Sequence, residues 1–117
     1  MKVYFFILIT LLSACNNSKK YIPADILDKS IFQSCLKDIH LAQASYELNK
    51  KKGEEYANTQ LKISFLHVYE KYGISKKSFE EALYYYSENA EELELMYIKI
   101  LEQLNREKTK LDQKETN

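Results

Sequence analysis

The side chains best suited to chemistry in the body of this chain are two histidines and an aspartate. His40 and His67 are its only histidines, and with Asp38 they could share a metal ion if folding brought them together. Nothing in their spacing requires such a site, and no second acid or base is identifiable opposite Asp38. We therefore expect no metal site and no catalytic residues. Asp38 is instead expected to pair with a lysine, or to accept a hydrogen bond from the cap or a tyrosine hydroxyl of a neighbouring helix.

The first fifteen residues have the pattern of an export signal. A lysine precedes a ten-residue apolar run at positions 3–12, which is too short to span a bilayer as a helix. The run ends in Leu12-Ser13-Ala14-Cys15, which resembles the bacterial lipobox. The resemblance implies removal of residues 1–14. It also implies a diacylglycerol on the Cys15 sulfur and an N-acyl chain such as palmitate, with no other cofactor.

The lipid on Cys15 predicts a protein held close to a membrane. Two or three acyl chains on one residue make a lasting anchor, whereas a single chain binds only marginally. We expect residues 15–22 to form the lipidated tether, which reaches roughly 25 Å when fully extended. The five residues directly after Cys15, at positions 16–20, include no aspartate or glutamate, and this favours the periplasmic face of the outer membrane.

Composition predicts one small all-α domain. The chain has 117 residues, with only two glycines and one proline, and tight-turned sheets use both residue types freely. Basic and acidic residues balance at 17 each, which argues against a nucleic-acid partner. So few glycines also argue against a phosphate-binding loop. We expect a helical domain at 23–105, followed by a polar, frayed tail at 106–117.

Apolar periodicity and capping residues predict a bundle of three to four helices. The first helix is expected to begin after Asp28, and the second to cover about 54–72 and stop at Gly73. Ser75 is expected to cap the third helix. Asn89, with an acid three residues on, resembles a capping box for the fourth. The pattern leaves open whether the third and fourth helices are continuous.

Cys35 and the ten tyrosines have structural explanations beside functional ones. Cys35 lies on the apolar stripe of the first helix, so we expect a buried thiol, with a reactive or paired thiol as the alternative. Exposed tyrosines make good anchors for protein partners, and Tyr84, Tyr85, Leu95 and Ile98 are the candidate partner surface. The alternative is that these tyrosines lie half-buried along the edges of a small bundle.

Three stretches follow the lipobox in a recognisable order. They are Asp38-Ile-His-Leu-Ala-Gln-Ala44, Tyr69-Glu-Lys-Tyr-Gly-Ile-Ser75 with Phe79, and Tyr84-Tyr-Tyr-Ser-Glu-Asn-Ala90 running into residues 91–104. Together they resemble the Bacteroidota lipoproteins catalogued as domain of unknown function 4296, over roughly residues 22–104. The resemblance implies an all-helical envelope lipoprotein and carries no assigned activity.

Together these patterns favour a non-enzymatic, membrane-anchored interaction module whose partner is another envelope protein. They identify no small-molecule substrate. The alternative is a periplasmic chaperone-like binder of extended polypeptides. An enzyme would require a deep pocket that places His40 or His67 beside two carboxylates.

Overall fold

A computed structural model describes residues 21–115 of the chain, and there it is helical without strands. The all-α prediction is therefore confirmed. The leader, Cys15 and the tether up to residue 20 lie outside the described residues. None of the described helices is long and apolar enough to cross a membrane. The elements are α1 (Lys29–Asn49), a 3₁₀ turn (Lys50–Lys52), α2 (Glu54–Tyr72), α3 (Lys76–Ser87) and α4 (Ala90–Glu115).

Two helices start at the caps that the sequence predicts. The Asp28 carboxylate accepts a hydrogen bond from the backbone N–H of Ser30 at 2.8 Å, at the start of α1. The Ser75 hydroxyl oxygen accepts one from the backbone N–H of Ser78 at 3.0 Å, at the start of α3. Each cap satisfies a backbone donor that the first helical turn leaves unpaired.

The end of α2 is set by Gly73, as expected. Gly73 has φ 62° and ψ 35°, a left-handed conformation that costs glycine little. The N–H of Ile74 then donates to the Tyr69 carbonyl at 3.0 Å, and the N–H of Gly73 donates to the Glu70 carbonyl at 3.1 Å. This Schellman pairing closes α2 and turns the chain into α3.

The structure separates α3 from α4, a point that the sequence leaves open. The break falls at Glu88 and Asn89, between Ser87 at the end of α3 and Ala90 at the start of α4. The Asn89 carboxamide oxygen accepts from the backbone N–H of Glu92 at 3.5 Å, and its amide donates back to the Glu92 carboxylate at 3.4 Å. The bond from the Glu92 N–H is the N-cap half of the expected capping box. The return bond ends on the Asn89 side chain, because the Asn89 backbone N–H donates to the Tyr86 carbonyl at 3.1 Å.

The end of α4 differs from the expected frayed tail. The helix continues to Glu115, well past residue 106. Lys37 of α1 forms an ion pair with Glu107 at 2.9 Å, and the hydrogen bond from Lys37 holds the pKa of Glu107 below its usual range. Lysine, glutamate and glutamine after Arg106 are good helix formers, so the α-helix can extend without a buried face.

The core lies around α1, which packs against the other three long helices. The Phe32 ring stacks on Tyr86 with centroids 4.8 Å apart and lies 5.6 Å from the Phe79 ring. We call these three rings the aromatic core. The rest of the buried cluster comprises Cys35, Leu36, Ile39, Val68, Ala82, Met96 and Ile100.

Candidate binding groove

A groove open along one side runs between α1, α2 and α3, with a volume of about 580 Å³. Its floor is apolar and aromatic, and its rim carries polar and charged side chains. Apolar walls with a few polar groups are the usual composition of protein binding sites. The groove is lined by Leu36, Ile39, His40, Gln43, Lys62, Phe65, Leu66, Tyr69, Lys76, Phe79, Glu80, Leu83 and Tyr97.

Three helices contribute to the groove with the same spacing. Each supplies residues at i, i+3, i+4 and i+7, which share one face of an α-helix. Each set therefore forms a ridge along a groove wall. The sets are positions 36, 39, 40 and 43 of α1, 62, 65, 66 and 69 of α2, and 76, 79, 80 and 83 of α3.

The groove stays open because α2 has few neighbours. This helix packs chiefly against α1 and buries only Ala57 and Val68. Leu66 is left 54% exposed and Ile63 41% exposed. The sequence shows α2 to be apolar on more than one side, a pattern typical of a central helix or of one that offers surface to a partner. In the structure, α2 is not central: it packs chiefly on α1 and keeps an exposed apolar side.

His40 lies half-buried at the rim, with both ring nitrogens engaged. Its Nδ1 lies 3.1 Å from the Gln43 carboxamide oxygen, and its Nε2 lies 3.1 Å from the Tyr97 hydroxyl. Because a carboxamide oxygen only accepts, a neutral His40 donates from Nδ1 and accepts the Tyr97 proton at Nε2. His40 thus links α1 to α4 through Tyr97.

The rim of the groove carries surplus positive charge. Lys76 lies 3.6 Å from Glu80, one turn along α3, so these two charges offset each other. Lys62 has no ion-pair partner within residues 21–115 and projects from α2 into solvent. An acidic group on a ligand would therefore find a cation at this edge.

Asp38 lies outside the groove and joins α1 to the last turn of α2. Its carboxylate accepts hydrogen bonds from Lys71 Nζ at 2.6 Å and from the Tyr72 hydroxyl at 2.8 Å. Burial pushes the pKa of Asp38 upward, but the two hydrogen bonds and the charges of Lys71 and Lys37 outweigh it and hold the pKa below its usual range. The arrangement matches the expected structural partner role, and we call it the Asp38 clamp.

The second histidine lies apart from the groove. His67 is on α2 with its side chain 74% exposed, and its Nδ1 is 3.8 Å from the Glu70 carboxylate. Within residues 21–115, no three side chains of histidine, cysteine, aspartate or glutamate are grouped so that they could hold a metal ion.

Cys35 is fully buried in the core, as its position on the apolar stripe predicts. Burial, and secondarily the nearby Asp38 carboxylate, raises the pKa of the Cys35 thiol to about 11. The thiol is therefore protonated at neutral pH, and a protonated thiol is a poor nucleophile.

The expected partner surface divides between two places. Tyr84 and Tyr85 line a shallow depression beside residues 21–28, which lead into α1 and which we call the lead-in segment. The Tyr85 hydroxyl donates to the Tyr21 carbonyl at 3.2 Å, so this tyrosine holds the lead-in segment in place. Leu95 and Ile98 are 49% and 45% exposed on α4 and do not line that depression.

The groove itself was not identified from the sequence. Lys62, Leu66 and Lys76 stand at helical spacings that are visible in the sequence, but spacing alone does not show which face a neighbouring helix covers. A signal was present in the surplus apolar residues of α2.

A match to a family model spans residues 23–110, which include all of α1, α2 and α3 and most of α4. The chain belongs to the DUF4296 family. The family is described as a domain of unknown function, so it brings no activity to the groove. No curated protein and no solved structure matches the chain. The DUF4296 domain therefore has to be interpreted from its own residues.

Proposed function

We propose that this DUF4296 protein is an envelope lipoprotein, anchored through acyl chains on Cys15 at the periplasmic face of the outer membrane. Its helical domain is a non-catalytic interaction module. The groove binds a helical segment of an envelope protein. No cofactor beyond the lipid and no nucleic acid takes part.

The observation that carries this proposal is the spacing of the groove walls. Side chains at i, i+3, i+4 and i+7 on α1, α2 and α3 form ridges of the kind that pack against a further helix. Amphipathic helices that bind in grooves use the same spacing on their own apolar face. The groove is thus shaped for one additional helix beside α2.

The lead-in segment supports a position close to the membrane. The Tyr86 hydroxyl donates to the Leu27 carbonyl at 2.9 Å, and Tyr85 holds Tyr21 as described above. The described contacts of the domain therefore extend to Tyr21. A chain from Cys15 to Tyr21 reaches about 20 Å at most, so an acylated Cys15 would keep the groove near the bilayer.

Substitution of Cys15 tests the anchor. We expect Cys15→Ala to abolish incorporation of a palmitate analogue and to release the protein from the membrane fraction. A Cys35→Ala variant is the matched control, and it should still incorporate the label. Retention of label by Cys15→Ala would contradict the anchor.

A photoreactive residue at position 66 tests the groove. In the full-length lipoprotein in cells, we expect discrete crosslinked adducts from position 66 and none from position 41. Leu41 is a suitable control because it is 43% exposed, close to the 54% of Leu66, but does not line the groove. Equal labelling from both positions would contradict a specific groove.

The same experiment distinguishes the chaperone-like alternative. An apolar groove can also hold unfolded segments of many proteins. That role would give a smear of adducts from position 66 in place of discrete bands. It would also require the protein to suppress the aggregation of unrelated substrates.

A further inference from the structure

Helix α4 presents a second apolar surface, on the side that faces away from the core. Leu95, Ile98 and Leu101 recur every three residues and are 49%, 45% and 60% exposed. Three exposed acids, Glu91, Glu94 and Glu102, lie on the same side of the helix. We call this surface the acidic face of α4.

The acidic face of α4 and the groove are complementary in charge and in length. The groove has an apolar floor and an unpaired Lys62 at its rim, whereas the face has apolar residues flanked by acids. At 1.5 Å per residue, the face from Leu95 to Leu101 extends about 9 Å, and each groove ridge extends about 10 Å. Opposite charges at matching apolar surfaces favour correct pairing.

The face cannot reach the groove of its own chain. Met96 and Ile100, on the opposite side of α4, are buried in the core, and Tyr97 already lines the groove. These contacts fix α4 with the acidic face turned away. Only α4 of another molecule can therefore place this face in the groove.

We infer that the groove of one copy binds the acidic face of α4 of a second copy. The inference rests on the proposed binding role of the groove and names its partner. Because the two surfaces differ, the contact is head-to-tail and can continue from copy to copy. The contact covers only about two helical turns, so we expect it to form among copies concentrated on a membrane.

Disulfide trapping between two tagged forms of the full-length chain tests this geometry. One form carries Leu66→Cys in the groove, and the other carries Ile98→Cys on the acidic face. Coexpressed in cells and oxidised in membranes, they should give a mixed dimer. Either form alone should give little dimer, because a head-to-tail contact does not place identical positions together. Two controls accompany this pair. One combines Leu66→Cys with Leu41→Cys, and the other is the parent chain, which carries only Cys15 and Cys35.

Charge reversal provides an independent readout on the same pair. Lys62→Glu in the first form should lower the yield of mixed dimer several-fold. Glu94→Lys together with Glu102→Lys in the second form should restore it. A restored yield of mixed dimer would support charge pairing between Lys62 and the acidic face. A yield that is the same in every combination would overturn this pairing.

The outcomes separate this inference from the proposed function. Absence of a 66–98 dimer, with photo-adducts from position 66 to a different protein, would overturn the second-copy partner and leave the groove's binding role standing. Absence of both the dimer and the adducts would overturn both. Equal dimer yields from 66–98 and 66–41 would also overturn the second-copy contact.

Discussion

The aromatic core and the binding groove are both built from apolar and aromatic side chains, but the core is buried and the groove is open to solvent. Phe32 and Tyr86 are fully buried, whereas Leu66 in the groove is 54% exposed. Around the aromatic core, α1, α3 and α4 pack together, with Met96 and Ile100 of α4 in the same buried cluster. At the groove, α2 packs chiefly on α1, and the space between α2 and α3 stays open. The difference teaches that the number of helices meeting at a place, more than apolar composition, decides whether it closes.

The polar groups of the two regions differ in the same way. The Tyr86 hydroxyl in the core has a fixed backbone partner, the Leu27 carbonyl. Among the described residues, Lys62 at the groove has no ionic partner. A polar group in a closed region must be satisfied within the fold, and one at an open region remains available to a ligand.

Removing a ring from the aromatic core should have the largest effect on stability. We expect Phe32→Ala to lower the free energy of unfolding by about 3–5 kcal/mol, because it leaves a cavity among rings that are already in contact. Urea unfolding followed by far-UV circular dichroism measures this loss. A loss no larger than that of Leu66→Ala in the groove would show that the two regions do not differ in their contribution to stability.

Breaking the Asp38 clamp should have the next largest effect. Asp38→Ala should cost about 1.5–3 kcal/mol, the range for hydrogen bonds to a charged group, and it leaves the Tyr72 hydroxyl without its acceptor. Lys71→Ala is the matched control. It should cost less than about 1 kcal/mol, since Lys71 is exposed. Equal losses in the same urea experiment would show that the ion pair is the main contribution.

The Asp38 clamp should also make the free energy of unfolding fall at low pH. Because the pKa of Asp38 is lower in the folded than in the unfolded chain, its contribution is complete above the unfolded pKa of about 3.9. It is lost as the pH falls through the lower folded value. Unfolding midpoints measured from pH 6 downward should therefore fall more steeply for the parent chain than for Asp38→Ala. Parallel curves would be inconsistent with a lowered pKa.

Removing only the hydroxyl of Tyr86 should have a smaller effect. Burial raises the pKa of Tyr86 to about 12, so the hydroxyl remains a donor to the Leu27 carbonyl at neutral pH. Tyr86→Phe keeps the ring and should cost about 1 kcal/mol, as for a single neutral hydrogen bond. Urea unfolding measures it, and hydrogen exchange near residues 21–27 should increase. Unchanged exchange there would mean that Tyr86 does not hold the lead-in segment.

Truncating the groove should have the smallest effect on folding and a large one on binding. Leu66→Ala should cost under about 1 kcal/mol, because the side chain is already half exposed. A photoreactive residue at Gln43, which also lines the groove, should form adducts in the parent chain and lose them in this variant. A stability loss comparable to that of Phe32→Ala would mean that the groove is a closed core in solution.

The sequence was most informative where structure depends on neighbouring residues. The caps at Asp28 and Ser75 and the stop at Gly73 involve contacts within five residues of the chain, and all three appear as expected. The burial of Cys35 follows from a stripe along one helix. The end of α4 was harder to place, because the pair between Lys37 and Glu107 joins positions far apart in the chain.

The sequence by itself determined the fold class, the starts of α1 and α3 and the end of α2, and its lipobox predicts an anchor at Cys15. Only the tertiary structure decided that α2 has an open side, that His40 reaches Tyr97, and that Tyr85 holds the lead-in segment. The physical reason is that helical spacing defines which residues share a face. Which helix covers that face depends on how α1 to α4 pack, and a single face does not encode that packing.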